Sequence, residues 1–306
     1  MSIKWKSTFI LLLLTGIVVW LSVFSTATNN INIISCNVGQ GDASLVVYKS
    51  FEILIDGGPD NSVLECLSKY VPFWDREIEM VILTHPQQDH YKGLIAVLEH
   101  YKVRKFLANS LDSGSQDYSL LKSLAGSGSS EIINPVRGMT VRSEMIQLDI
   151  LHPSAEFLEE NLSGKNVVYK SINNTNGVLG TSESKTDPND FSIVALLHFG
   201  SFKFLFTGDI SKGILDNLAS DSESMSGKPF NYIKIPHHGS RTALSESFYN
   251  LADPDIAVMS VGKNSYNLPN SEVINYFKGK NILLLRTDEM GDVVVKSDGK
   301  KIWIDP

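Results

Sequence analysis

The chain has 306 residues, 42% of them hydrophobic, with 27 basic against 34 acidic side chains and a formal net charge of −7. That apolar content supports the core of one large domain or two small ones, and 20% charged with 9% aromatic residues excludes a wholly disordered chain. The acidity argues against a general nucleic-acid coat, which would be basic, and two cysteines are too few for a disulfide framework or a cysteine zinc cage.

The first predicted element is apolar. Lys4 and Lys6 precede an uncharged run from Phe9 to Phe24, somewhat short of the roughly 20 residues of a spanning helix and long for a signal-peptide core. Ser25-Thr26-Ala27 follows as a small–x–small cleavage pattern. Lysines on the N-terminal flank stay cytoplasmic under the positive-inside rule, which sends the chain after Asn29 outside. Residues 1–27 therefore read as a signal peptide or a single membrane anchor, and the protein as exported, either secreted or anchored with its C-terminal domain outside. Without them the body, 28–306, carries 25 basic and 34 acidic residues, a charge of −9.

From Ile31 strands alternate with helices. Ile31–Val38 and Ala43–Tyr48 are β-rich runs around a Gly39-Gln40-Gly41-Asp42 turn, and Glu52–Ile55 ends at Asp56-Gly57-Gly58. Asn61 is placed to cap a helix through Val71; Met80–Leu83 reads as a short buried strand and Gly93–Tyr101 as a helix. Lys105–Ala108, Ile146–Leu151, Ser192–Phe199 and Lys203–Phe206 read as strands, followed by Tyr232–Ile235, Ile256–Val261, Ile282–Leu285, Val293–Val295 and Ile302–Ile304. Gly126–Ser130 reads as a loop. Between His152 and Asn189 the pattern fails in favour of Asn, Ser, Thr and Gly, which predicts a surface insertion near 152–190 rather than a domain boundary. The class is α/β (α+β), and the hairpin-rich start predicts mixed rather than purely parallel sheets. Cys36 in a strand and Cys66 in a helix could pair, but free thiols are expected.

The chemistry-bearing residues stand at the ends of predicted strands, where α/β folds place their sites. Met80–Leu83 runs into Thr84-His85-Pro86-Gln87-Gln88-Asp89-His90, Phe204–Phe206 into Thr207-Gly208-Asp209, and Tyr232–Ile235 into Pro236-His237-His238-Gly239-Ser240. Taken singly, a Gly-Asp pair is usually a turn, Asp56-Gly57-Gly58 a geometric corner, and His85 a hydrogen-bonded histidine. Adjacent imidazoles beside a glycine seldom serve packing, and so many strand-end groups in one chain point to metal ligation. His100, His152 and His198 read as structural.

In this order the motifs resemble the metallo-β-lactamase fold. More closely they resemble the extracytoplasmic hydrolase domain of the ComEC competence family. Val38–Ala43 (VGQGDA), Leu54–Gly58 (LIDGG), Thr84–His90 (THPQQDH), Asn189–Ser192 (NDFS), Leu205–Asp209 (LFTGD) and Ile235–Ser240 (IPHHGS) carry the likeness, and the tail from Gly262 to Gly291 continues it. It implies an αββα sandwich from about Ile31 to the C-terminus, two sheets face to face with helices outside, preceded by one hydrophobic helix. The family's many-helix channel has no counterpart in this sequence, so channel function is not implied.

The resemblance also implies two metal positions. His85 and Asp209 would serve the first; Asp89, His90, a bridging Asp209 and His237 would serve the second. Gln87 stands where the fold has its middle histidine, and Asn189 and Asp190 stand where it has a third-motif histidine. One firm site with a second weak or absent is therefore expected, for zinc or manganese, and a β-lactamase proper is a poor match. Asn267-Leu268-Pro269 replaces Gly-His-Pro, and Leu268 can neither ligate nor donate a proton. A metal-bound hydroxide would attack phosphorus or a carbonyl, with Asp89 orienting it and His238 or Ser240 assisting the leaving oxygen. Lys234 and Arg241 could receive a phosphate or be solvated charges. The expected function is an extracytoplasmic metal-dependent hydrolase, a phosphodiesterase or nuclease acting on a small phosphodiester or single-stranded DNA. The alternative is a weakly metallated, non-catalytic binding domain of the same fold. The membrane enters only through the N-terminal segment, and no protein partner is deducible.

Overall fold

The computed structural model describes residues 3–25, 29–128, 130–164, 177–221, 225 and 229–305. The Thr26-Ala27 part of the cleavage pattern and the centre of the expected insertion lie outside the described residues. The apolar run forms α1 (Ile3–Ser25), whose described side chains, at 5–18, are exposed. Among the described residues no helix is long and apolar enough to cross a membrane.

The body begins with β1 (Ile31–Ser35), β2 (Ser44–Tyr48) and β3 (Phe51–Ile55), an antiparallel meander of β-branched residues. Two parallel crossover units add α2 (Ser62–Tyr70), β4 (Glu77–Leu83), α3 (Gln88–His100) and β5 (Lys102–Ala108), after which α4 (Gln116–Ser127) leads to β6 (Glu131–Ile133). The second sheet is built from β7 (Thr140–Ser143) and β8 (Ile146–His152), then α5 (Ala155–Asn161) and a short ribbon of β9 (Ser163–Gly164) with β10 (Ser182–Glu183). It continues through β11 (Val194–Phe199), β12 (Phe202–Phe206), α6 (Lys212–Ser220), β13 (Tyr232–Lys234), α7 (Glu246–Ala252), β14 (Ile256–Met259), α8 (Ser271–Gly279) and β15 (Leu283–Arg286). After the turn α9 (Thr287–Met290) the chain returns to the first sheet as β16 (Val293–Ser297) and β17 (Ile302–Asp305). The strand orders are β17-β16-β1-β2-β3-β4-β5-β6 and β15-β14-β13-β12-β11-β8-β7, both mixed as the sequence predicts.

Alternation along the strands decides what each face meets. Ile33, Ile53, Ile82 and Leu107 point inward against Leu197, Phe206 and Tyr232 of the second sheet, making the central core. Leu54, Val81 and Phe106 point outward onto α2, α3 and α4. Ile233, Ala257 and Met259 meet α6, α7 and α8 on the far side. The result is the expected αββα sandwich, and among the described residues these clusters begin at Ile31.

Three local expectations are corrected. Cys36 and Cys66 are joined in a disulfide, because α2 docks on the first sheet with Cys66 on its buried face and the two Cα atoms 5.8 Å apart, within bridging range. Gly126 and Ser127 are helical, forming the last turn of α4, because Tyr118, Leu121 and Ala125 give that segment a buried stripe. Asn61 precedes α2, but the side chain that serves the helix start is Asp60, whose Oδ1 accepts from the Ser62 amide at 2.8 Å.

Strand direction divides the sandwich into two ends. β3 and β4 finish where β12 and β13 finish, so Asp56, Thr84-His85, Asp209 and His237-His238 meet at one end. At the other end lie the β2–β3, β7–β8, β11–β12 and β16–β17 turns.

Candidate metal centre

The side chains at the strand ends converge because glycines let the backbones close in. A Cβ on Gly93 of α3 would lie 1.9 Å from the Gly57 carbonyl oxygen, so only glycine seats the first turn of α3 on the Asp56-Gly57-Gly58 corner. That first turn carries Asp89 and His90. After β13, His237 and His238 both take left-handed backbone angles, φ 52° each, a conformation non-glycine residues seldom adopt. The turn puts the His238 ring inside and leaves the His237 ring outside.

Three pairs of candidate ligand atoms stand at one spacing. His90 Nε2 lies 3.3 Å from Asp209 Oδ2, and His238 Nε2 lies 3.3 Å from both Asp89 Oδ2 and Asp209 Oδ2. Two atoms each about 2.05 Å from a tetrahedral zinc are separated by roughly this distance. His85 stands beside this set, its ring centroid 4.2 Å from that of His90, and can share a cation with His90 and Asp209. The Nε2 atoms of His85 and His90 are buried without a hydrogen-bond partner, an arrangement that a bound cation would satisfy. The residues present therefore fit a divalent metal of the zinc or manganese type.

The other ring nitrogens are held from behind. His90 Nδ1 pairs with Asp56 Oδ2 at 2.8 Å, and His238 Nδ1 faces the Ser260 carbonyl at 2.9 Å. His85 Nδ1 lies 3.1 Å from Thr84 Oγ1 and 3.2 Å from Ser192 Oγ. Such partners set the tautomer and aim Nε2 at the centre. Asp56 is thus more than a corner: with φ 61° it also accepts from the Thr84 amide and hydroxyl, each at 2.8 Å.

The charges reinforce one another. Burial disfavours protonation of His90, but the Asp209 and Asp56 carboxylates outweigh it and hold its pKa well above the ordinary value. Burial pushes His85 down to about 3, so this imidazole is neutral and free to ligate. Burial raises Asp89, yet the His238 hydrogen bond and the His90 charge prevail and bring it to about 2. Asp209 is held well below the usual carboxylate range, burial being overcome by His238, Lys234 and His90.

Lys234 corrects the expectation of a phosphate-receiving or solvated cation. It is buried, pairs with Asp42, and donates to Asp209 Oδ1 at 3.2 Å and to the Gly208 carbonyl at 3.0 Å. Arg241 is exposed and pairs with Glu272 at 2.7 Å, away from the cluster. Ser240 also stays outside, its Oγ bonded to Thr242 Oγ1 at 2.8 Å.

The structure therefore brings together His85, Asp89, His90, Asp209 and His238, and exchanges the two adjacent histidines. His238, expected to assist a leaving group, supplies the inward ring. His237, expected as a ligand, gives its backbone N–H to Asp209 Oδ1 at 3.0 Å, and its ring lies by Thr242 at 3.5 Å. Asn189 Oδ1 is buried without a partner, whereas Asp190 accepts from the Ser211 amide at 3.3 Å. Asp42, Asp56 and Lys234 are the participants whose roles the sequence reading passed over; the signal was charge inside otherwise apolar strand ends. Leu268 is packed with the apolar cluster beneath the second sheet.

Comparison with known proteins bears on the fold. The family model described as metallo-beta-lactamase superfamily matches residues 36–127. ComE operon protein 3 of Bacillus subtilis (strain 168) is 25% identical over 223 residues, 71% of this chain and 24% of its own length. Competence protein ComA of Neisseria gonorrhoeae is 36% identical over 121 residues, 37% of this chain and 16% of its own length. The chain thus spans a quarter or less of these relatives. Among solved structures, the metallo-beta-lactamase fold protein YhfI from Bacillus subtilis superposes with a TM-score of 0.51 at 10% identity, covering 87% of this chain and 100% of YhfI. CmlA, a diiron beta-hydroxylase from Streptomyces venezuelae, gives 0.53 at 13% identity over 88% of this chain and 55% of CmlA. The two-sheet sandwich thus has the metallo-β-lactamase fold, and the family model of that superfamily matches its residues 36–127.

Proposed function

We propose that the protein is an extracytoplasmic metal-dependent hydrolase of phosphodiester bonds, with single-stranded DNA as the macromolecular substrate to be tested first. The observation that carries this reading is the chain His90–Asp209–His238–Asp89, each link 3.3 Å, with buried imidazole nitrogens of His85 and His90 that lack a hydrogen-bond partner. A bound divalent cation supplies Lewis acidity and a water acidic enough to attack at neutral pH.

The chain's own residues divide the remaining work. The Asp89 side chain is one-third exposed, the most open of these ligands, so substrate and water reach the centre from its side. Its ionised carboxylate is placed to accept a proton from the attacking water and to orient it. Lys234 does not reach the surface; it fixes Asp209 and offsets the Asp42 and Asp209 charges from behind. Phosphate neutralisation then falls to the metal, which suits a body whose charge of −9 repels polyanions except at the centre itself.

Export and membrane attachment through α1 belong to the same proposal. They are supported by the Lys4 and Lys6 flank of the apolar run and by the Cys36–Cys66 disulfide, which suits an oxidising compartment.

The test is metal analysis of the purified protein, with turnover of a bis-aryl phosphodiester and of single-stranded DNA under Mn²⁺ or Zn²⁺. Bound metal near one equivalent, with both metal and turnover lost in Asp209→Asn, is expected. Neither metal above background nor turnover under either ion would leave a binding domain of the same fold.

A further inference from the structure

The end of the sandwich remote from the metal centre has its own surface chemistry. Ile31 faces Tyr48 and Ser297, Tyr48 faces Phe51, and Glu77 faces Lys102, so the chain's entry into β1, the loop before β4 and the turn at 298–301 share one end. Lys49 pairs across to Glu144 at 2.6 Å, which brings the β7–β8 turn alongside. On this end Phe73 is 78% and Trp74 53% exposed, their rings packed edge to face with centroids 4.9 Å apart. Two adjacent aromatic rings left in water are a standing cost that a partner surface would remove.

The charges around them point the same way. Arg76, Arg142, Lys300 and Lys301 are exposed. The nearby carboxylates have partners of their own: Asp75 Oδ1 accepts from the Glu77 amide at 3.1 Å, Asp298 Oδ1 accepts from the Lys300 and Lys301 amides at 2.8 and 2.7 Å, Glu144 pairs with Lys49, Glu77 with Lys102 and Arg104, and Asp305 with Lys296. Cations thus face outward on a body that is otherwise acidic. The apolar α1 ends at Ser25 and β1 starts at Ile31 on this same end, so the linker spans at most about 20 Å. Nine large hydrophobic side chains of α1 are exposed, from Trp5 to Val18.

We propose that this end is the membrane-facing surface of the protein: Phe73 and Trp74 enter the interface of a bilayer rich in anionic lipid, and the surrounding cations meet its headgroups. The proposal rests on the reading that α1 attaches the protein to a membrane. Aromatic rings with lysine and arginine are the side chains that settle at a bilayer interface, and the apolar tether delivers the bilayer to this end. The metal centre then opens away from the lipid, toward substrate in the aqueous phase.

Vesicle flotation and fluorescence separate the two readings. The full chain is expected to float with phosphatidylcholine vesicles containing phosphatidylglycerol; failure to float sinks attachment through α1. The 29–306 body, whose described core clusters begin at Ile31, is expected to bind the same vesicles weakly, and less at high salt or on phosphatidylcholine alone. In a Trp303→Phe background, Trp74 is the body's sole tryptophan, and its emission should shift blue and be quenched by brominated lipid. Phe73→Ser with Trp74→Ser should weaken body binding by about tenfold with an unchanged melting temperature. Full-chain flotation with unquenched Trp74 and unaltered binding of the double variant would overturn the proposal while leaving attachment standing. Dimerisation lost in the double variant, without vesicle binding, would overturn it in favour of self-association.

Discussion

Asp209 shows how much one side chain is asked to do at this centre. Its Oδ2 faces His90 and His238, while its Oδ1 is taken by the Lys234 ammonium and the His237 amide. The carboxylate is therefore held by both oxygens before any metal arrives, and the two histidines after β13 serve it differently: one by its ring, the other by its backbone. His238→Ala should lower Mn²⁺ or Zn²⁺ affinity by about 100-fold or more, whereas His237→Ala should change it by no more than about threefold, because only the His238 ring faces the cluster. Titration calorimetry on the two variants checks this, and equal losses would contradict it. Lys234→Met leaves Asp42 and Asp209 buried without their cation and should cost about 3–5 kcal/mol of unfolding free energy. Adding Asp42→Asn should recover part of that in urea denaturation, while Arg241→Ala, at an exposed pair, should leave stability unchanged within error.

At the scale of elements, crossover units and turns place those side chains. α3 begins where β4 ends, so its first turn presents Asp89 and His90 as soon as the strand has delivered His85. The disulfide ties α2 to the segment after β1 on the flank of this arrangement. Closing a loop of 30 residues restricts the unfolded chain by about 3.5 kcal/mol in the chain-entropy account. Cys36→Ser with Cys66→Ser should therefore lower the urea midpoint clearly, with the cluster retained in the folded fraction; an unchanged midpoint would show that docking of α2 alone does the work. The helices α4 and α6 to α8, which the sequence reading left unmarked, are short and carry only two or three buried residues each, too few for a clear period.

At the scale of the whole molecule, stability responds to pH through a carboxyl far from the metal. Glu52 lies on β3 beside Glu79 of β4, and neither of its carboxyl oxygens has a hydrogen-bond partner. Burial, with Glu79 adding to it, pushes Glu52 from its ordinary 4.5 up to about 9. The folded protein keeps a proton there that the unfolded chain gives up above about pH 4.5, so this group subtracts stability progressively as pH rises toward 9. Glu52→Gln should remove that part of the slope: between pH 6 and 8.5 the parent's urea midpoint should fall more steeply than the variant's. Parallel slopes would assign the pH dependence to other groups.

Much of the molecule was legible in one dimension, and the boundary is physical. Strand-end motifs such as Thr84–His90, Thr207–Asp209 and Pro236–Ser240 are local, so the sequence by itself determined the sandwich, its mixed sheets and the chemical type of the centre. Which of two neighbouring histidines points inward depends on a left-handed turn after β13, and the pairing of Cys36 with Cys66 depends on where α2 docks. Lys234 reads as a phosphate ligand or a solvated charge until Asp42, 192 residues earlier, is seen against it. Such roles are set by contacts between residues remote in sequence, and no local pattern encodes them; only the tertiary structure decided them.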